Sequence, residues 1–285
     1  LKAAATAAVV FSVLFTSFAH AADKSYTLRL AETWGPNFPI FGDATKNMAE
    51  MAEKMSNGRL KIRIDSANRH KAPFNTGNQM GGWFRKEIKT LEDLDGLKMR
   101  IPGFAGEVFA EVGVNPTNIP PGELYTALER NTIDAVEWVG PALYLRLGFQ
   151  QIADYYYTGW HEPATELQFL INKDVWEDLP ADLQEVLRVS MRTASYDMLT
   201  QSVHANAQAW ASIRDEYPNV KVKTFPDDIF KAMVAANEKV LEAYSRDNEQ
   251  GQRIIKSQQA YLDKTRAYID ISERAYLNTM AELEE

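Results

Sequence analysis

The sequence predicts an α/β protein in which strands and helices alternate and long helices follow toward the C-terminal end. Three observations carry this. From Tyr26 an alternating run, an amphipathic run and a second alternating run follow one another, the β-α-β order that sets two strands parallel. Leu97, Met99 and Ile101 alternate with Lys98 and Arg100 between two turn pairs, Asp95-Gly96 and Pro102-Gly103, which is the period of a strand. After Pro180, and again after Asp228, apolar residues recur at helical spacing over long stretches.

Taken in order, Tyr26 to Ala31 reads as the first strand and Glu32 to Pro39 as a loop holding Trp34. Phe41, Met48, Met51 and Met55 give Phe41 to Ser56 helical spacing, and Asn57-Gly58 closes that helix. Arg59 to Asp65 is the second strand. Ser66 to Phe74 is polar and irregular, and the uncharged, Gly-rich run Asn75 to Phe84 has Gln79 at its centre. Thr90 caps a one-turn helix over Leu91 to Asp93. The Arg100 strand follows, then a short helix from Phe104 to Val112 and a loop with three prolines from Val114 to Pro121. Gly122 to Arg130 is a helix and Thr132 to Val136 a strand that delivers Glu137 and Trp138 to its C-terminal end. Leu167 to Ile171 reads as an apolar strand, Asp174 to Leu179 and Pro180 to Tyr217 as helices, and Val220 to Phe225 as a strand. The remainder is helix, broken near Asn248 to Gly251.

With 285 residues the chain has room for one large domain or two ordinary ones. A net charge of −8 and the lack of any long basic run argue against nucleic acid, whose binding depends on Lys and Arg neutralising phosphates. The absence of cysteine excludes disulfides, thiolate nucleophiles and Cys-based metal sites. Lys2, the apolar run Ala3 to Phe18 and the small-x-small triplet Ala19-His20-Ala21 read as a secretory signal over residues 1–22. A soluble, exported chain without cysteine suits a bacterial periplasm.

Arg100 ends a strand just before a loop, the edge at which open α/β sheets bind ligands. Its planar, permanently charged fork matches a carboxylate through two parallel hydrogen bonds. The alternative is an arginine paired with a surface acid. Gln79, Glu137 and Glu162 offer amide and carboxylate oxygens of the kind that suit a hard cation. Trp34, Trp138 and Trp160 could wall a small pocket, although tryptophans in a sheet protein are more often core. Glu137 with Glu162 could instead act as an acid–base pair in a secreted enzyme. No G-x-S-x-G elbow, P-loop, G-x-G-x-x-G or paired-histidine helix accompanies them, and His161 reads as a loop residue.

The stretch Gly96-Leu97-Lys98-Met99-Arg100-Ile101-Pro102 resembles the TRAP-type periplasmic solute-binding proteins of bacteria. So do Pro121-Gly122-Glu123-Leu124-Tyr125-Thr126-Ala127-Leu128 and Thr132-Ile133-Asp134-Ala135-Val136-Glu137. Asn78-Gln79-Met80-Gly81-Gly82-Trp83 and Val136-Glu137-Trp138 are most similar to the members that bind 2-oxo acids. The resemblance implies a two-domain periplasmic-binding-protein-like fold with long connecting and C-terminal helices, closing on a ligand in a cleft. It implies no enzyme activity but capture of a small organic acid, such as the 2-oxo monocarboxylate pyruvate, for the membrane subunits of a TRAP permease. Arg100 matches the arginine that pairs with the substrate carboxylate, with Gln79, Trp138 and Trp34 beside it. A cation, sodium in the first place and calcium otherwise, would be held by Gln79, Glu137, the Trp138 backbone oxygen and Glu162.

The same resemblance implies a first domain over 23–80 and 163–205 and a second over 81–162 and 206–285. It also implies a gap. Two or more strand–helix units, on the order of 70 residues at ~30 per unit, would separate Phe74 from Asn75, so the first domain is expected to be incomplete. A truncated remnant that binds nothing therefore stands as a further alternative. Finally, Ile254, Ile255, Tyr261, Leu262, Ile269, Tyr276 and Leu277 on the helical tail could cover a second subunit, as in the 2-oxo-acid group, or pack back on their own chain.

Overall fold

Strand β1 (Tyr26–Ala31), helix α1 (Phe41–Met55) and strand β2 (Leu60–Asp65) form the expected opening unit. Next come β3 (Gly82–Phe84), β4 (Lys98–Arg100), α2 (Gly103–Glu111), β5 (Asn115–Thr117), α3 (Leu124–Glu129), β6 (Ala135–Val136), α4 (Pro141–Leu147) and β7 (Tyr155–Tyr157). Helices α5 (Lys173–Asp178) and α6 (Ala181–Glu216), strand β8 (Lys221–Lys223) and helices α7 (Asp227–Ser245), α8 (Glu249–Ile271) and α9 (Glu273–Glu284) complete the chain. The structure, a computed structural model, describes residues 24–32, 38–65, 76–162 and 169–284. The expected signal over 1–22, Trp34, the Ser66–Phe74 loop and the Phe74–Asn75 junction lie outside the described residues.

The chain divides into two compact units, Leu1–Phe74 with Leu167–Met198 and Asn75–Glu166 with Leu199–Glu285. In the first, β1 and β2 pair in parallel, from Tyr26 opposite Leu60 to Ala31 opposite Asp65. Helix α1 turns Phe41, Ala44, Met48 and Ala52 inward, at the spacing of one helix face. Ala52 and Leu60 meet Leu179, Leu183 and Leu187, so the first turns of α6 close this small core. Arg59 is paired with Asp182 at the start of α6. Leu167 to Ile171 was expected as a strand. Its described part, Phe169 to Ile171, forms none: Ile171 packs on the core while Leu170 is 78% exposed. Among the described residues this sheet has only two strands, and that run pairs with neither. An apolar cavity of about 370 Å³, lined in part by Leu28, Ile62 and Leu170, opens beside it.

The second unit is built on a six-stranded sheet of order β5-β4-β6-β3-β7-β8. β4 lies parallel to β5 and β6, β7 lies parallel to β8, and β3 runs against β6 and β7. Successive residues face opposite sides of the sheet. Phe84 and Tyr157 belong to one core cluster, with Met99, Ile101, Phe109 and, from α7, Ile229 and Met233. Trp83 and Tyr156 belong to the other, with Leu124, Leu128, Tyr144, Phe149 and, from α6, Ile213. The expected loop Val114 to Pro121 contains β5 despite Pro116. Asn115 N–H donates to Leu97 O at 2.8 Å, so by alternation the Pro116 nitrogen faces away from β4, on the open side of an edge strand where no donor is needed.

The antiparallel β3 decides where a site can form. Because β4, β6 and β7 share a direction, their C-terminal ends share one edge of the sheet. β3 runs the other way, so the segment entering it from Thr76 to Gly81 arrives at that same edge. Four stretches far apart in sequence therefore meet there: the entry to β3 and the exits of β4, β6 and β7.

Candidate functional site

Arg100 is the last residue of β4. The sequence pattern suggests a polar face for it, yet its side chain is buried, at 7% exposed. Its guanidinium donates to the Glu137 carbonyl and, through Nε, to Ile119 O at 3.4 Å. Glu137 N–H donates back to Arg100 O at 3.0 Å. Burial pulls the guanidinium below its ordinary pKa, and the Glu137 charge opposes that. Among the described residues Arg100 makes no ion pair with a carboxylate. The surface-acid alternative is therefore not what the structure contains. A buried guanidinium whose hydrogen bonds among the described residues go to carbonyls keeps its affinity for a bidentate anion.

Glu137 follows β6 directly and is 6% exposed. Its Oε1 lies 3.7 Å from His161 Nε2. Trp138 is half-buried, and its N–H donates to the Tyr144 hydroxyl at 2.8 Å. Tyr144 is fully buried, so burial pushes its pKa well up and it stays a neutral donor–acceptor. Gln79 is 5% exposed. Its N–H donates to Glu162 O at 3.0 Å, Met80 N–H to Val139 O at 3.0 Å and Gly81 N–H to Tyr157 O at 2.9 Å. The entry to β3 is thus laced to the exits of both β6 and β7, and the backbones of Gln79, Glu137, Trp138 and Glu162 are drawn to one edge. Trp34 lies outside the described residues. Trp160, which could have walled a pocket, is partly buried and packs against the core through Phe109, with ring centroids 4.4 Å apart.

Three positioning residues left no signal in the sequence reading. Tyr144 holds the Trp138 backbone. On α6, Asn206 Oδ1 accepts from Ala142 N–H at 2.9 Å, and Ser202, one helical turn earlier, donates to Thr76 O at 2.8 Å. The second half of α6 therefore ties the entry to β3 and the loop after β6 to one rigid element. Asn206 also abuts Gly140.

Among the described residues no group of three or more His, Cys, Asp or Glu side chains is placed to hold a metal ion. The residues expected from the sequence to hold a cation, Gln79, Glu137, Trp138 and Glu162, would offer two carboxylates, one amide and a backbone carbonyl. Such an all-oxygen set with few charges suits sodium or calcium and is foreign to zinc or copper. Among the described residues no helix is long and apolar enough to cross a membrane.

The chain is similar to solved TRAP periplasmic solute-binding proteins. One, from Colwellia psychrerythraea with bound calcium and pyruvate, has a TM-score of 0.86 and 47% identity, covering 90% of this chain and 100% of that one. Another, from Pseudoalteromonas atlantica with bound sodium and pyruvate, has a TM-score of 0.84 and 48% identity, covering 90% and 99%. The monocarboxylate 2-oxoacid-binding periplasmic protein of Nostoc sp. is 37% identical over 204 residues, 71% of this chain and 56% of that protein. The ectoine/5-hydroxyectoine-binding protein of Ruegeria pomeroyi is 28% identical over 62% of this chain and 53% of its own length. The matches span about half the length of these two relatives.

The fold is thus that of the two-domain α/β periplasmic solute binders. The bacterial extracellular solute-binding protein family 7 model matches residues 73–247, and the chain belongs to that family. Its members bind solutes for transport and are not enzymes, which sets aside the Glu137–Glu162 acid–base alternative.

Proposed function

We propose that this chain captures a small 2-oxo monocarboxylate of the pyruvate class, together with a sodium or calcium ion, for the membrane subunits of a TRAP permease on the periplasmic side. The observation that carries this is the buried Arg100 fork at the sheet edge, whose hydrogen bonds among the described residues go to carbonyls, with Gln79, Glu137 and Glu162 on the segments that meet at that edge. Arg100 would take the ligand carboxylate. Gln79, Glu137, the Trp138 carbonyl and Glu162 would hold the cation, with Trp138 and Trp34 beside the ligand. Two carboxylates facing an anion repel it, and a cation between them reverses the sign of that interaction. The bound calcium and sodium of the two pyruvate-binding neighbours support this reading.

Calorimetry on the purified protein tests it, with pyruvate supplied as its sodium salt in one arm and as the salt of a bulky organic cation in the other. Binding is expected with sodium or calcium present and is expected to vanish in chelator with a bulky organic cation replacing sodium. No heat and no thermal shift with pyruvate or other short carboxylates in either cation would favour the non-binding remnant and overturn the proposal.

The helical tail supports a second reading, of the assembly. Helices α8 and α9 bury no residue against the rest of their own chain, and Tyr261 and Tyr276 are 72% and 65% exposed. Apolar side chains left in water along two successive helices favour a homodimer. Light scattering at micromolar concentration is expected to give twice the chain mass. A strict monomer rules the dimer out.

A further inference from the structure

We propose that His161 is a positioning residue for the cation: its Nε2–H orients the Glu137 carboxylate, without itself touching cation or acid. This rests on the cation reading above. The His161 side chain is 6% exposed and its Nε2 lies 3.7 Å from Glu137 Oε1. The ring is clamped. It lies against the Trp160 ring with centroids 4.3 Å apart and planes at 31°, and Trp160 is in turn packed on Phe109. Its Nδ1 is buried and has no hydrogen-bond partner among the described residues. A neutral imidazole carries one N–H. Placed on Nε2, that hydrogen faces the Glu137 carboxylate, and Nδ1 becomes an acceptor, the less costly of the two to leave unmade. A bulky apolar ring would fill the same slot against Trp160 without any orphan atom. What the imidazole adds is a donor at Glu137. Carboxylates that ligate cations are themselves held by hydrogen bonds, and loss of such a partner weakens metal binding.

The test uses the full chain and calcium chloride alone as the probe. His161→Phe keeps the ring stack and removes the donor; His161→Gln keeps a donor of similar reach. In calorimetry His161→Phe is expected to weaken calcium binding about 10- to 100-fold, and His161→Gln to recover most of it. Pyruvate affinity measured at saturating calcium should stay near that of the unmodified chain in both. Should His161→Phe melt early, His161→Asn, too short to reach Glu137, must still lose calcium where His161→Gln holds it. Unchanged calcium affinity in His161→Phe, or equal losses in the Gln and Phe variants, would overturn the positioning role alone. No uptake of calcium or sodium by the unmodified chain would overturn the cation reading, and the role of His161 with it.

Discussion

Arg100→Ala is expected to abolish most of the affinity for a small carboxylate. Removing one partner of a buried, hydrogen-bonded charge pair costs about 2–5 kcal/mol, roughly thirty-fold to several thousand-fold in Kd. Arg100→Lys keeps the charge but loses the planar fork, and its ammonium cannot offer two parallel N–H groups to one carboxylate. It should recover only part of the loss. The variant also strips a donor from the Glu137 and Ile119 carbonyls, so the ligand-free protein should melt somewhat earlier. Calorimetry with pyruvate decides the matter, and unchanged affinity in Arg100→Ala sinks the assignment.

Gly82→Ala is expected to have the largest effect on stability. Gly82 has φ +106°, and a Cβ there would sit 2.4 Å from Val136 O. The clashing atom belongs to the strand backbone, which can yield only by breaking register with β3. Backbone strain and forced repacking together cost about 2–5 kcal/mol. Val136 immediately precedes Glu137, so the shift should carry into the site and lower cation affinity as well. Gly96→Ala is the control: φ is +70° but nothing lies within 4 Å, so only the left-handed conformation is penalised, at about 1–2 kcal/mol. Urea denaturation compares the two. Equal midpoints for Gly82→Ala and the unmodified chain would show that β3 can move aside freely.

Much of this was legible in the sequence, for reasons particular residues make plain. β1, α1, β2, α6 and α7 announce themselves because one face is buried and the other wet, which writes a period into the chain. Arg100 and Glu137 stood out because each stands at the C-terminal end of an alternating strand, and Gln79 because it sits at the centre of an uncharged Gly-rich run. β3 and β7 left no such trace. Trp83, Phe84, Tyr156 and Tyr157 are all fully buried, so these three-residue strands show no alternation. β5 was hidden by a proline that only an edge position tolerates. Ile171 and Leu170 mislead in the other direction: the run is apolar, yet only Ile171 packs on the core and Leu170 stands in solvent. Asn206 and Tyr144 escape sequence reading for another reason. Asn206 acts on backbone 64 residues away, and the Tyr144 bond to Trp138 N–H depends on how α4 is set against the sheet.

The central place of β3 has a consequence in time. Its two neighbours, β6 and β7, begin about fifty and seventy residues later in the chain. At a synthesis rate of about 5–20 residues per second, Trp83 and Phe84 wait roughly 3–14 s for the strands that will cover them. During that interval two of the most deeply buried rings of the finished fold have no sheet to enter. The sheet edge where Gln79 N–H meets Glu162 O is completed later still.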